Sequence, residues 1–282
     1  MAEEFRNVAA DVEPLSSYCT VDCFGPSPCS RGVYPIRKGS VTLQATIHDF
    51  AMVTYAVPSR RFKPLMTSRL RLETLGEGEA ERALITTACF RLSLGQKSPR
   101  WLRSIHVAAH WTYATRDNER AVYLFRATIT PSPAANLLRL ICPSVETGRE
   151  PEPASTWRSA SAAGQDTDIV HQMVNRDGRL DLVLHPASPY PGDDPSPDLS
   201  AITAFIAGRQ SLYFWLRGRW LWKLPVIREG IGLRQASPDR IRIPLWQKIG
   251  VLSSSEIQSP ALVLAAPSFP VTLWMPRPNI TI

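Results

Sequence analysis

The segment HVAAHWTYATRDNERAVYLFRATI, residues 106–129, restricts the fold more than any other stretch. Two runs rich in Val, Thr, Tyr and Phe flank the polar quartet Arg116-Asp117-Asn118-Glu119, and such runs joined by a short polar turn specify an antiparallel hairpin. The signature recurs twice. DIVHQMV and LDLVLHP flank Asn175-Arg176-Asp177-Gly178-Arg179, with an Asp-Gly turn, and SLYFWLRGRWLWKLPVI turns at Arg217-Gly218. Prolines outnumber glycines 25 to 15, which suits short strands and stiff loops and works against long helices. The fold class is therefore mainly β, an α+β arrangement of antiparallel strands.

Around these hairpins, VTLQATIHDFAMVTYAV and ALITTACFRLSL read as strands. A short helix is expected at SRRFKPLM with Ser59 as its N-cap, and another over TPSPAANLLRLI with Ser132 as cap and Pro133 at the first position. A third is expected at PDLSAITAFIAG, capped by Ser196 and stopped by Gly208. RIRIPLW and SFPVTLWMP read as the closing strands. Residues 1–40, rich in Pro, Ser, Gly and Cys without an apolar period, read as a disordered or loosely attached extension, and 41–282 as one β-rich domain.

The net charge of +7 comes from arginines scattered along the chain. Without a dense basic block or aromatic ribonucleoprotein motif, specific nucleic-acid binding is not expected. The N-terminal segment is acidic where a signal peptide needs basic residues, and no run is long enough to cross a bilayer, so a cytoplasmic, membrane-free chain is expected. Five cysteines fit reduced thiols. Cys19, Cys23 and Cys29 lack the second close couple of a zinc site and read as free thiols.

The order of elements resembles the YqjF-like family of bacterial proteins, within the acetoacetate-decarboxylase-like superfamily. The residues that carry the resemblance are HDFAMVTYAVPSRRFKPLMTSRLRLET, the hairpin WTYATRDNERAVYLFRATI with its following helix, SPYPGDDPSPDLSAITAFIAGRQSLYFWLRGRWLWKLP, and SFPVTLWMPRP, together spanning about residues 45–278. The resemblance implies a strongly curved antiparallel sheet closing into a barrel or cone, with a few short peripheral helices. It also implies, for the decarboxylase branch, a cavity lysine that forms an imine with a keto acid. That lysine is expected just after the helix following the long hairpin, where this chain has LLRLICPSVE. The Glu, Asn and Arg of the family's hairpin strand fall on Val107, Ala109 and Trp111.

The expectation is therefore a binding protein for a small apolar or weakly acidic organic molecule, without Schiff-base chemistry. Trp111, Tyr113, Tyr123, Phe125, Tyr213, Trp215 and Trp222 are its candidate cavity lining, and Arg116, Arg126 or Arg217 the candidate anion contacts. The rival is a keto-acid lyase using Lys223 as the nucleophile and His110 or Glu73 as proton carrier. Against it stands the ordinary reading of Lys223 as a snorkelling lysine over Trp220 or Trp222. A third reading is an interaction module that uses surface arginines. No cofactor and no metal are expected: His106 and His110 lie about 13 Å apart along a strand, and His171 and His185 add no close couple. Cys89 and Cys142 read as small buried hydrophobes, no serine sits in a nucleophile elbow, and there is no phosphate-binding glycine loop.

Overall fold

β-branched, aromatic and small residues fill 41–58, and they form one long strand, β1 (Val41–Pro58). The computed structural model describes residues 41–94, 103–130, 132–149, 168–186, 211–216, 220–228 and 233–275. β1 is interrupted at Asp49, a non-glycine residue at φ 52°, where its register with the neighbouring strand shifts between His48 and Ala51. The bulge resets the side-chain alternation. Ala45 shares a packing cluster with Phe50 and Met52, although an uninterrupted period of two would set it on the opposite face from both.

In chain order, the short β2 (Arg71–Leu72) and β3 (Thr74–Leu75) precede three long strands, β4 (Arg82–Leu94), β5 (Ser104–Arg116) and β6 (Glu119–Thr130). β7 (Val145–Thr147), β8 (Ile169–Asn175) and β9 (Gly178–Pro186) follow, then β10 (Ser211–Leu216), β11 (Trp220–Arg228), β12 (Arg234–Arg242) and β13 (Leu262–Met275). Pairing runs β1–β4–β5–β6–β10–β11–β13–β12–β9–β8, and β13 also pairs with β1. β10 meets β6 in parallel over only Leu212–Val122 and Tyr213–Tyr123. The chain is mainly β with a few short helices.

The β5–β6 hairpin closes on Asp117 and Asn118, at φ 51° and 63°, the left-handed pair of a tight two-residue turn. β8 and β9 also pair as expected, but Asn175 sits opposite Gly178, so Arg176-Asp177 forms the turn and Gly178, at φ 128°, begins the return strand. β10 and β11 pair from Ser211–Pro225 to Leu216–Trp220. Arg217-Gly218, the helix expected after Ser196, and residues 1–40 with Cys19, Cys23 and Cys29 lie outside the described residues.

Among the described residues the α-helices are α1 (Ser59–Phe62), α2 (Ser132–Ile141), α3 (Pro244–Lys248) and α4 (Ser254–Ile257). Ser59 is not the cap of α1: the cap position is Pro58, and the Ser59 hydroxyl donates to Glu81 instead. RIRIPLW is not one strand either. β12 stops at Arg242 and Pro244 opens α3, because proline supplies the preset φ of a first helical turn. α4 begins with a capping box between Ser253 and Glu256.

The sheet is buried on both faces. On one, Val53, Tyr55, Ile85 and Ala108 pack against Leu180, Leu182 and Leu184 of β9 and against Trp246 of α3; Tyr55 hydroxyl donates to the Ile257 carbonyl at 2.9 Å. On the other, Met52, Leu84, Tyr113 and Leu264 form a second cluster. Among the described residues, no helix is long and apolar enough to cross a membrane.

Candidate functional site

Position 110 falls on the face of β5 that carries Ala108 into the core against Trp246, so the sequence buries an imidazole where alternation calls for an apolar side chain. His110 is 1% exposed. Its Nδ1 lies 2.9 Å from Thr87 Oγ1 on β4, directly across the strand pair, and the same hydroxyl accepts from Trp246 Nε1 at 2.8 Å. The indole also meets the imidazole edge to face, with centroids 5.5 Å apart. Burial first, and the Arg126 cation second, push the His110 pKa down to about 3. The ring is neutral at ordinary pH, which makes it a hydrogen-bonding group and not a general base. Its Nε2 is buried without a hydrogen-bond partner among the described residues.

Arg126 lies opposite His110 on β6. The register between the strands slips there, leaving Phe125 as a bulged residue. Phe125 stacks on Trp246 at 6.0 Å, and the Arg126 guanidinium sits 5.9 Å from the Phe125 ring centroid. Arg126 is the hub of a charged cluster: Nε is 3.1 Å from Glu146 Oε1, and Nη1 donates to Asp177 Oδ2 at 2.5 Å. Arg176 reaches Glu146 at 2.6 Å and Lys248 reaches Asp177 at 2.9 Å. Burial raises the Glu146 pKa against the pull of Arg126 and Arg176. Burial also opposes ionisation of Asp177, but Lys248 and Arg126 hold its carboxyl below the ordinary range. Glu146 Oε2 is a second buried atom without a hydrogen-bond partner among the described residues.

Lys223 stands elsewhere. It faces Tyr213 across β10 and β11, and its Nζ donates to Glu119 Oε2 at 2.5 Å, while Ser211 donates to Glu119 Oε1 at 2.6 Å. A nucleophilic amine needs a desolvated or cation-flanked setting, whereas this one is one-third exposed and meets a carboxylate. Glu73 is held by Arg120 at 2.9 Å. No contact brings Lys223, His110 and Glu73 together among the described residues.

The aromatic candidates are divided among separate clusters. Tyr113 packs with Met52 and Leu84, where Trp111 also leans; its hydroxyl lies 3.2 Å from Thr86 Oγ1 and accepts from Trp111 Nε1 at 3.3 Å. Tyr123 and Tyr213 pack together with Trp215, whose Nε1 donates to Tyr123 at 3.1 Å. Phe125 touches that group and the Trp246 core alike. Arg116 lies 5.9 Å from the Tyr213 ring centroid. Trp222 pairs with Phe214 through the backbone, and its side chain lies outside the described residues. An open depression of about 400 Å³ near Lys63, Thr67, Arg71 and Glu81 contains none of these residues.

Cys89 and Cys142 are buried thiols, the former pushed up to about 12 by burial. Among the described residues, no three His, Cys, Asp or Glu side chains gather closely enough to hold a metal. Sequence reading missed Thr87, Glu146, Asp177 and Trp246. Asp177 was legible only as a turn former, and Trp246 sits 159 residues from the threonine it meets.

No family model matches the chain, and no curated protein matches it. Solved structures do. The enduracididine biosynthesis enzyme MppR complexed with pyruvate is similar at 11% identity, covering 88% of this chain and 92% of that one, with a TM-score of 0.51. The chain has the acetoacetate-decarboxylase-like fold. MppR complexed with the condensation product of pyruvate and imidazole 4-carboxaldehyde aligns at 10% identity and TM-score 0.52, covering 83% of this chain and 87% of that one. Acetoacetate decarboxylase from Legionella pneumophila aligns at 7% identity and TM-score 0.50, covering 84% and 85%.

Proposed function

We propose that this protein binds a small organic molecule inside its curved sheet and forms no imine with it. The observation that carries this reading concerns the lysines. Each lysine among the described residues donates to a carboxylate: Lys63 to Glu81, Lys223 to Glu119 and Lys248 to Asp177. None has the apolar, cation-flanked setting that makes an amine nucleophilic. The chain is read as a YqjF-like, cytoplasmic member of the superfamily whose sheet, with β13 returning to β1, closes into a barrel or cone around its ligand. The MppR complex has pyruvate bound, which makes small oxo acids the first compounds to test.

The deciding experiment pairs native mass spectrometry of the purified protein with borohydride trapping in the presence of pyruvate and acetoacetate. A co-purified or added small molecule with no reduced adduct supports binding. A reduced adduct mapped to Lys223 overturns this reading in favour of the lyase.

A further inference from the structure

The chain between β1 and β4 folds around an open depression of about 400 Å³, whose polar lining is Lys63, Thr67, Ser68, Arg71, Thr74 and Glu81. None of these six side chains is buried, so a ligand can reach all of them. Three features define what the depression can hold. The first is an anchored acceptor. Lys63 Nζ at 2.7 Å and the Ser59 hydroxyl at 2.5 Å donate to Glu81 Oε2, and the Thr74 hydroxyl donates to Oε1 at 2.9 Å. These bonds, that of Lys63 foremost, bring the Glu81 pKa down to about 2. Glu81 is therefore an ionised acceptor, and its Oε1 has room for a second donor. The second is charge. β2 sets Arg71 opposite Thr115 of β5, and among the described residues no carboxylate meets its guanidinium, while the neighbouring Glu73 is held by Arg120. Lys63 and Arg71 against Glu81 leave the lining one positive charge in excess. Arg69, which stands 5.6 Å from the Trp215 ring centroid, adds positive potential beside Ser68. The third is a pair of hydroxyls. Thr67 Oγ1 accepts the Arg69 backbone N–H at 3.3 Å, so its own hydrogen remains to be donated, and Ser68 is exposed next to it.

We infer that this depression binds the phosphomonoester of a small polyol, its phosphate oxygens meeting the Arg71 guanidinium and the Thr67 and Ser68 hydroxyls while a hydroxyl of the same ligand donates to Glu81 Oε1. A guanidinium grips phosphate through two parallel N–H bonds, and the flanking hydroxyls supply donors for the third oxygen. A carboxylate has only two oxygens and one charge, whereas a phosphomonoester carries about −1.5 to −2 near neutral pH. Glu81 supplies the selectivity. Its negative charge repels a phosphate that brings nothing for Oε1, and a ligand hydroxyl offsets that repulsion by donating to it. The volume lies within the range of small-molecule sites and leaves room for a carbon chain beyond the phosphate. None of the residues of the binding function proposed above lines this depression, so the two readings stand or fall separately.

The test is titration calorimetry of the whole protein at fixed ionic strength, with glycerol 3-phosphate, methyl phosphate and sodium acetate as probes. Glycerol 3-phosphate is expected to bind about tenfold or more tightly than acetate, and severalfold more tightly than methyl phosphate, which has no hydroxyl for Glu81. Arg71→Gln is expected to weaken glycerol 3-phosphate about tenfold or more, the worth of hydrogen bonds to a charged group. Arg71 is exposed, so this variant keeps the fold. Glu81→Gln separates the two ends of the ligand. Loss of the negative charge tightens methyl phosphate, and the weaker acceptor removes most of the preference for glycerol 3-phosphate. Arg240→Gln, at an exposed arginine of β12, is expected to leave every affinity unchanged. Absence of glycerol 3-phosphate binding, equal affinity for acetate, or an equal loss in Arg240→Gln and Arg71→Gln overturns the inference. So does a preference for glycerol 3-phosphate over methyl phosphate that survives Glu81→Gln intact.

Discussion

Glu119 holds the ammonium of Lys223 on one carboxylate oxygen at 2.5 Å and the hydroxyl of Ser211 on the other at 2.6 Å. Partial burial opposes the charge on Glu119, yet these two donors keep its carboxyl below the usual range. The pair lies on the first residue of β6 and the fourth of β11, about one-third exposed on both sides. In that setting solvent screening leaves an ion pair worth roughly 1 kcal/mol or less. A double-mutant cycle with Glu119→Gln and Lys223→Met, followed by urea denaturation, is therefore expected to give a coupling below about 1 kcal/mol. A markedly larger coupling makes Lys223 a buried charge and reopens the imine reading.

Acid should weaken this fold earlier than its carboxylates alone dictate. His110 and His171 are buried, and desolvation brings their pKa values to about 3 and about 4, although the Asp49 carbonyl beside His171 Nε2 pulls the latter upward. The unfolded chain protonates a histidine near pH 6.5, whereas the folded one refuses the proton until far lower. Their contribution is thus intact above about pH 6.5 and is lost as pH falls, at about 1.4 kcal/mol per pH unit for each histidine between roughly 6 and 4. The urea midpoint measured from pH 8 to 4 is expected to stay level and then drop below about 6. A midpoint flat to pH 4.5 contradicts the burial of both rings.

What was legible in the sequence was local. The β5–β6 turn is written in Asp117-Asn118, and α2 in its N-terminal proline and apolar spacing, because both need only neighbouring residues to specify them, although Ser132 is the first residue of the helix and not its cap. The bulges at Asp49 and Phe125 were not legible, since a register slip depends on the partner strand. The candidate site was hidden for the same reason. His110 stood out in the sequence, but its relation to Thr87, Trp246 and Arg126 arises from separations that no spacing rule reports. The aromatic residues were visible as aromatic residues only. Alternation and bulges distribute Tyr113, Tyr123 and Phe125 among different clusters.

Gly148 provides a test of how tightly the second hairpin seats on the main sheet. A Cβ added there falls 2.6 Å from Thr128 Cγ2 and 2.8 Å from Met173 Sδ. The methionine can swing aside, but Thr128 is stiff at χ1 and fully buried. Gly148→Ala is accordingly expected to cost about 1–3 kcal/mol by overpacking. Gly250, at φ 73° with nothing within 4 Å of an added methyl group, serves as the comparison. Gly250→Ala should cost only the conformational penalty of roughly 1–2 kcal/mol. Chemical denaturation of the two variants measures the difference, and a neutral Gly148→Ala would place β8 farther from β6.

Asp177 ties the β8–β9 turn to the rest of the site, and its side chain is 1% exposed. One oxygen accepts from Arg126 and the other from Lys248, while its backbone N–H donates to Asn175 Oδ1 at 2.9 Å. Asp177→Asn preserves the shape and the turn bond but removes the charge that both cations face. Arg126, with only 16% of its side chain exposed, is left with Glu146 alone. Removing one partner of a buried pair typically costs about 3–5 kcal/mol, and the remaining Glu146 contact places the expectation near the lower end. The same substitution adds one positive charge to the cluster next to His110. Urea denaturation of this variant measures the loss, and a cost below about 1 kcal/mol, the range of a solvent-screened pair, contradicts the burial of the Arg126–Asp177 contact.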